Sequence, residues 1–431
     1  METQNSTKTL PPSEGLKHCD EPIRQDTRKP CYQLIADVSA LDAFVGGLAG
    51  EPMIAVDLEA DSMYHYREKV CLIQITAGKT VGIIDPLSVD DLSGLRPLFA
   101  DPGVRKVFHG ADYDIRSLWR DFGIEVRNLF DTQVACRFLG YRESGLEAVI
   151  RSQFDVVLDK KFQKKNWSSR PLPRDMLAYA ASDTLYLIPL AERLLSALGE
   201  NGRLPWVLEE CRLLSQVRSL PENSEPLFFR FKGAGRLRPR SLAVLESLLQ
   251  LRREIAEKKD RPLFKILGNE TIMKIVKGRP TSLAQLERAG GLSRKQLEMY
   301  GNALVQRVLT ALEVPEEALP VYPRKKSPVL SPRVPERINA LKEWRDGKAA
   351  ELEIDPTLIC NKSLLTTLAA ENPRDAAALE GIEELKTWQY EAFGEDILAV
   401  LNALRKPRKP SRPKQRRRKK DSPEGNPIPS Q

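Results

Sequence analysis

Cysteine is scarce in this chain, and what there is does not pair by pattern. Six are scattered over 431 residues (Cys19, Cys31, Cys71, Cys136, Cys211, Cys360), with no Cys-x-x-Cys and no histidine nearby except His18 beside Cys19. Such placement argues against a zinc framework or a disulfide scaffold and for reduced thiols. Long apolar runs are lacking too: no stretch approaches the ~18 residues that a membrane span needs. The opening Met1-Glu-Thr-Gln-Asn-Ser-Thr-Lys8 has none of the apolar core of a secretory leader. A cytoplasmic protein with no membrane partner is the expectation. Acid is missing from one place. Between Arg405 and Lys420 stand eleven Lys and Arg and no Asp or Glu, against a whole-chain net charge of +8, so everything else sums to −3. The basicity therefore sits in a tail, which like-charge repulsion and interspersed proline keep extended. A tail of this kind grips phosphates without reading sequence, or simply stays solvated.

What is present is enough for several cores: 41% of residues are hydrophobic, and 31 prolines mark linkers and tails. Residues 1–33 are polar and charged and read as disordered. Apolar, β-rich segments follow at Met53–Glu59, Val70–Thr76 and Thr80–Asp85, with a short one at Lys106–His109. Helical patterns then take over at Tyr113–Phe122, Asp131–Leu139, Ser144–Gln153 and Arg174 to about Leu198. This describes an α/β domain over 34–205, then a linker over 206–236. Beyond it the chain is all-helical and repeats. Tyr300-Gly301 and Phe393-Gly394 lie 93 residues apart in corresponding helices. Each unit has a long charged first helix (Ser241–Lys258; Glu336–Glu353) and a short second one behind an Asn placed to cap it, Asn269 and Asn361. Ser293-x-x-Gln296 fits a capping box. The modules occupy 237–316 and 332–405, joined by a linker over 317–331, and the basic tail fills 406–431.

The informative residues are acids in apolar surroundings. Asp57 and Glu59 stand at i and i+2 of a strand, on one face of the sheet. Two carboxylates side by side in a low-dielectric place repel unless a cation neutralises them, and oxygen-only ligands suit Mg²⁺ or Mn²⁺. The other reading is an exposed strand end. Tyr179 and Asp183 are four apart on a helix where their neighbours Leu177, Ala178, Ala180, Ala181, Leu185 and Leu187 are small or apolar, so Asp183 needs a partner: a metal, a neighbouring backbone group or an arginine. Between them lies His109-Gly-Ala-Asp112-Tyr-Asp114 at a strand-to-helix junction. Asp112 fits a helix cap better than Asp114, but spacing does not choose. The loop Lys160–Arg170 interleaves five cations with two aromatics. That mixture holds single-stranded nucleic acid, through Lys164, Lys165, Trp167 and Arg170, or forms a solvated loop anchored by Trp167.

Asp57-x-Glu59, His109 with an acid five residues on, and Tyr179-x-x-x-Asp183, in that order, resemble the DEDDy exonuclease superfamily. Leu72-Ile-Gln-Ile75, Ile84-Asp-Pro86, Phe130-Asp-Thr-Gln133, Leu158-Asp-Lys160 and Trp167-Ser-Ser-Arg-Pro-Leu172 sharpen the likeness to the ribonuclease D family. The helical repeats look like its nucleic-acid-associated HRDC domains, the second the more diverged. The resemblance implies a ribonuclease-H-like mixed sheet with flanking helices, followed by two all-α HRDC-like domains and disordered tails. It assigns the middle acid to Asp114 and leaves Asp112 as a cap or supporting group.

It further implies a hydrolase that removes nucleoside 5′-monophosphates from RNA 3′ ends, with transfer-RNA precursors as substrates. Two divalent ions, Mg²⁺ or Mn²⁺, are expected on Asp57, Glu59, Asp114 and Asp183, with Asp57 bridging them. Tyr179 is expected to position the attacking water, since a phenol titrating near ~10 is a poor base. His109 is either a structural strand-end residue or a substrate contact. Two rivals stand: a DNA exonuclease with the same acids, and an inactive RNA-binding scaffold. The intact acids disfavour the scaffold, and the flanking words and repeats favour RNA.

Overall fold

The computed structural model describes residues 30–219, 225–323 and 331–405. The basic tail from 406 onward and residues 1–29 of the expected disordered segment lie outside them. The chain divides into two compact units, Met1–Val329 with Ala349–Ile359, and Leu330–Lys348 with Cys360–Gln431.

The first domain mixes strands and helices and ends in a run of helices: β1 (Gln33–Ile35), α1 (Val38–Gly47), β2 (Met53–Ala60), β3 (Val70–Ala77), β4 (Thr80–Ile84), α2 (Leu95–Ala100), β5 (Arg105–Phe108), α3 (Asp112–Phe122), β6 (Leu129–Asp131), α4 (Thr132–Phe138), α5 (Leu146–Phe154), α6 (Arg174–Leu185), α7 (Leu187–Glu200) and α8 (Leu204–Leu214). The strands make one mixed sheet in the order β1-β4-β3-β2-β5-β6. β2 runs antiparallel to β3 and parallel to β5, so its backbone is paired on both sides. β3 (Val-Cys-Leu-Ile-Gln-Ile-Thr-Ala) is buried along its whole length, and its near-continuous apolar run is what a strand covered on both faces requires.

Two expectations change. The helix read as running from Arg174 to about Leu198 is two helices, broken at Tyr186, three residues before Pro189. The domain does not stop near 205: α8 continues it, burying Val207 and Cys211 and packing on β6.

The helical region begins inside what the sequence assigns to linker. Phe228, Phe231 and Ala234 are buried in the core of the first module. Its helices are α9 (Pro239–Lys258), α10 (Leu263–Ile266), α11 (Asn269–Gly278), α12 (Leu283–Ala289) and α13 (Arg294–Leu312). The second module has α14 (Val334–Leu352), α15 (Pro356–Ile359), α16 (Lys362–Glu371), α17 (Ala376–Glu380) and α18 (Thr387–Ala403). The 93-residue offset seen at Tyr300 and Phe393 holds for the start of every helix after the first in each module. It also holds for the left-handed residues, Asp260 with Glu353 and Arg279 with Asn372.

The Ser293–Gln296 capping box is present, and Asn361 caps α16 through the Leu364 amide. Asn269 caps nothing. Its Oδ1 accepts from Arg252 at 2.7 Å, and Gly268 is the residue that corresponds to Asn361. Among the described residues the buried Cys71, Cys136, Cys211 and Cys360 are free thiols, and no helix is long and apolar enough to cross a membrane.

Candidate active site

The strand β2 carries Asp57 opposite Gln74 and Glu59 opposite Leu72 on β3, so the acids and Gln74 share one face of the sheet. A bulge follows at Glu59/Ala60. The helix α6 lies against β2, β3 and β4. It comes this close because Ala178, Ala180 and Ala181 form its buried side, and the Thr76 and Thr184 hydroxyls, 2.6 Å apart and buried, tie it to β3. That tie fixes Asp183, the residue before Thr184. Tyr179, one turn earlier, hydrogen-bonds to Asp183. Asp57, Glu59 and Asp183 thus present oxygens that all lie within 4.8 Å of one another.

Asp114 stands outside that trio. It is buried in the first turn of α3, close enough to Asp57 to feel its charge. Asp112 on the same turn faces outward to Arg116 (2.9 Å) and caps no helix, contrary to the reading from sequence. Asp131 does that work: its carboxylate accepts from the Gly110 and Ala111 amides at 3.0 and 2.7 Å, and from Gln133 and Val134 at the start of α4. No local pattern hints at this, because the cap comes from twenty residues away.

Gln74 was also missed as a separate group. It is fully buried, and neither side-chain amide atom has a hydrogen-bond partner among the described residues. A single polar residue in the middle of β3, facing Asp57, is the signal that could have found it.

Burial pushes every acid up, and repulsion from neighbouring carboxylates adds to it at Glu59, Asp114 and Asp183. Asp57 rises to about 6 through desolvation, offset in part by the Leu58 amide. Glu59 rises to about 10, through desolvation first and then the charges of Asp57, Asp183 and Asp114. Asp183 rises to about 8 through desolvation and Asp57, with Tyr179 working the other way. Asp114 is raised well above its ordinary range by desolvation, Asp57 and Asp131. Tyr179 is raised as well, by burial and then by the carboxylates. An all-oxygen cluster that cannot hold its own charges is the donor set a hard divalent cation fits.

The other residues singled out in sequence fall in two groups. Lys164 and Lys165 are exposed and make no ion pair among the described residues. Trp167 is 1% exposed and packs beside Tyr179 at 6.1 Å between ring centroids, and Phe162 lies against another side of Tyr179 at 5.8 Å, so the indole has no face left for a base. Arg170 is spent internally, paired through two nitrogens with Asp85 (2.6 Å each) and with the Cys71 and Trp167 carbonyls. His109 donates from Nδ1 to Thr132 Oγ1 at 2.9 Å, the Thr132 proton going to the Phe108 carbonyl, and burial lowers its pKa.

A central strand bearing two acids, with a Tyr-and-Asp helix laid across it, defines a nuclease of the 3′-to-5′ exonuclease class, and the comparisons agree. A family model described as 3′-5′ exonuclease matches residues 32–199, and the HRDC domain model matches 241–308 and 335–401. Ribonuclease D of Acidiphilium cryptum is 32% identical over 371 residues, covering 85% of this chain and 92% of the relative. Ribonuclease D of Escherichia coli is 31% identical over 290 residues, 67% of this chain and 77% of that one. The crystal structure of Escherichia coli RNase D superposes with a TM-score of 0.65 at 27% identity, over 87% of this chain and 100% of that one. The chain belongs to the ribonuclease D family, and it is a 3′-to-5′ exoribonuclease.

Proposed function

We propose that Asp57, Glu59 and Asp183, with Asp114 completing the set, hold two divalent ions, Mg²⁺ or Mn²⁺, and that transfer-RNA precursors and similar RNAs with short 3′ tails are the substrates. The trio of carboxylates within 4.8 Å of one another, each pushed above its usual pKa, carries the metal reading, and the likeness to Escherichia coli RNase D, an exoribonuclease involved in structured RNA processing, supports the substrate class. Bound there, the ions supply a nucleophilic water at neutral pH and stabilise the departing 3′ oxygen.

The chain's own groups have narrower tasks. Tyr179 keeps its proton, since its pKa is raised and not lowered, so it orients a water by hydrogen bonding and does not act as base. Asp183, sharing the hydrogen bond with Tyr179, fixes where that phenol points. Lys164 and Lys165 offer the exposed charge next to the site for the phosphates of the incoming strand. The tail from Arg405 to Lys420 adds a second, sequence-blind grip on RNA phosphates.

The test uses the protein and its Asp57→Ala variant on 5′-labelled single-stranded RNA and matched DNA, with Mg²⁺ or with chelator. A ladder shortening from the 3′ end of RNA, lost in the variant and with chelator, is the expected result. A ladder on DNA alone keeps the mechanism and overturns the substrate. Binding without any ladder leaves an RNA-binding scaffold. Precursor transfer RNA against an unstructured RNA of equal length then tests the substrate class.

A further inference from the structure

The nine residues Asp61–Lys69 leave β2 two positions after Glu59 and return into β3. They are closed at the base by the Lys69 amide on Asp61 Oδ1 at 2.8 Å. This segment touches two things at once. On one side is the first HRDC module: the Tyr66 ring packs against its core, the Tyr66 amide donates to Asp260 Oδ1 at 3.1 Å, Arg67 meets Glu257 at 3.2 Å, and Lys265 Nζ lies 4.4 Å from the centre of the Tyr64 ring. On the other side is the loop that carries Phe162 and Trp167. Tyr64 donates to the Lys164 carbonyl at 2.8 Å.

His65 makes both connections with one ring. Nδ1 is 2.6 Å from Asp260 Oδ2, and Nε2 is 2.8 Å from Ser168 Oγ. Ser168 in turn donates to Asn166 Oδ1 at 2.7 Å, and Trp167 between them lies against Tyr179.

We propose that His65 is a positioning residue through which the first HRDC domain, by Asp260, holds the Ser168 loop and so the wall of the Tyr179 ring. The proposal rests on the water-orienting role of Tyr179 given above. Arg170 already bolts the far end of the loop to Asp85 and to the Cys71 and Trp167 carbonyls. In the stretch before it Trp167 is held by the core and the Lys164 carbonyl by Tyr64, and Ser168 is the point that the HRDC contact holds through His65. Loosening it tilts the phenol without touching any carboxylate. The arrangement tolerates either charge state of the ring. An imidazolium donates from both nitrogens and leaves the Ser168 proton on Asn166, whereas a neutral ring donating from Nδ1 to Asp260 takes the Ser168 proton away from Asn166.

Asp260 suits a clean test because its φ is +44°, in the left-handed region where Gly and Asn sit without strain. Asp260→Gly removes the carboxylate. Asp260→Asn keeps the clasp, its amide donating to Nδ1 while Nε2–H donates to Ser168 and its carbonyl takes the Tyr66 amide. Ser168→Ala cuts the same connection from the other end.

With the full-length chain, Asp260→Gly and Ser168→Ala are expected to lower kcat on single-stranded RNA about tenfold, with KM changed less than about twofold. Asp260→Asn is expected to restore wild-type kcat, and the Asp260→Gly/Ser168→Ala double variant to be no worse than either alone. In chelator and without RNA, amide exchange over residues 160–170 is expected to quicken in the two disrupting variants and not in Asp260→Asn. Unchanged exchange overturns the clasp. A rise in KM with kcat intact also overturns it, making this corner an RNA contact. A wild-type chain without nuclease activity refutes the exonuclease reading itself, and is recognised as such because the exchange comparison does not use turnover.

Discussion

Glu59→Gln should stabilise the metal-free protein while destroying its activity. In the folded chain Glu59 titrates near 10, pushed there by desolvation and by Asp57, Asp183 and Asp114. Unfolded, a glutamate titrates near ~4.3. Between those values the folded state holds more protons than the unfolded, so stability falls as pH climbs, and below the lower value the penalty is gone. At pH 7 the penalty is the cost of keeping the carboxyl protonated, about 3–4 kcal/mol. A glutamine of the same shape avoids it, but leaves a buried amide short of partners, which costs about 1–2 kcal/mol. The net gain of about 2 kcal/mol corresponds to a melting temperature higher by roughly 3–8 °C. The assay is thermal unfolding in chelator at pH 7 and again near pH 5, where the difference should shrink or reverse. Adding Mg²⁺ should then raise the wild type and leave the variant nearly unmoved. A variant that melts lower than wild type in chelator at pH 7, or one whose gain is the same at both pH values, would refute the argument that these acids repel one another.

The remaining expectations are shorter. Asp183→Asn should reduce turnover at least a hundredfold with circular dichroism unchanged, since Asp183 holds both a ligand oxygen and the Tyr179 hydrogen bond; retained turnover removes it from the site. Lys164→Ala with Lys165→Ala should weaken RNA binding and flatten its salt dependence by about 0.7 for each phosphate no longer neutralised, read from affinity against log salt. Arg170→Ala should cost about 3 kcal/mol, because it strands the buried Asp85 carboxylate. Burial works against that carboxylate, and Arg170, the Leu87 amide and Ser88 outweigh it and hold its pKa below the usual range. The contribution is therefore present above ~pH 4 and lost as pH falls through the lowered value, so denaturant midpoints of wild type and variant should converge in acid.

The acids of the site were legible because charge in an apolar strand or helix has to be explained. Asp57, Glu59 and Asp183 declare themselves that way, and the structure gathers all three. The choice between Asp112 and Asp114 was not legible from spacing, because it depends on Asp131 taking over the capping of α3 from outside the local window. The strands β1 and β6 are three residues each, too short to show a period. The basic, aromatic loop announced itself as a nucleic-acid contact, yet composition cannot say which way a ring faces. Trp167 and Arg170 face in, while Lys164 and Lys165 face out. The link between His65 and Asp260 spans 195 residues and leaves no trace in sequence.

The constant offset of 93 residues between the helical modules makes them interchangeable pieces. A crossover joining any point of α10–α13 to its counterpart in α15–α18 would delete 93 residues and leave one whole module, with each helix start in place and every turn of native length. Gln296 and Gln389 bond back to the amides of Ser293 and Lys386 at the same 3.0 Å, so even the entry to the last helix would be shared. Hybrids of this kind, differing only in where the join falls, could assign to single segments what each copy has come to do since it was doubled. A join placed after Asp260 would keep the first copy's carboxylate beside His65, and one placed before it would put Glu353 there.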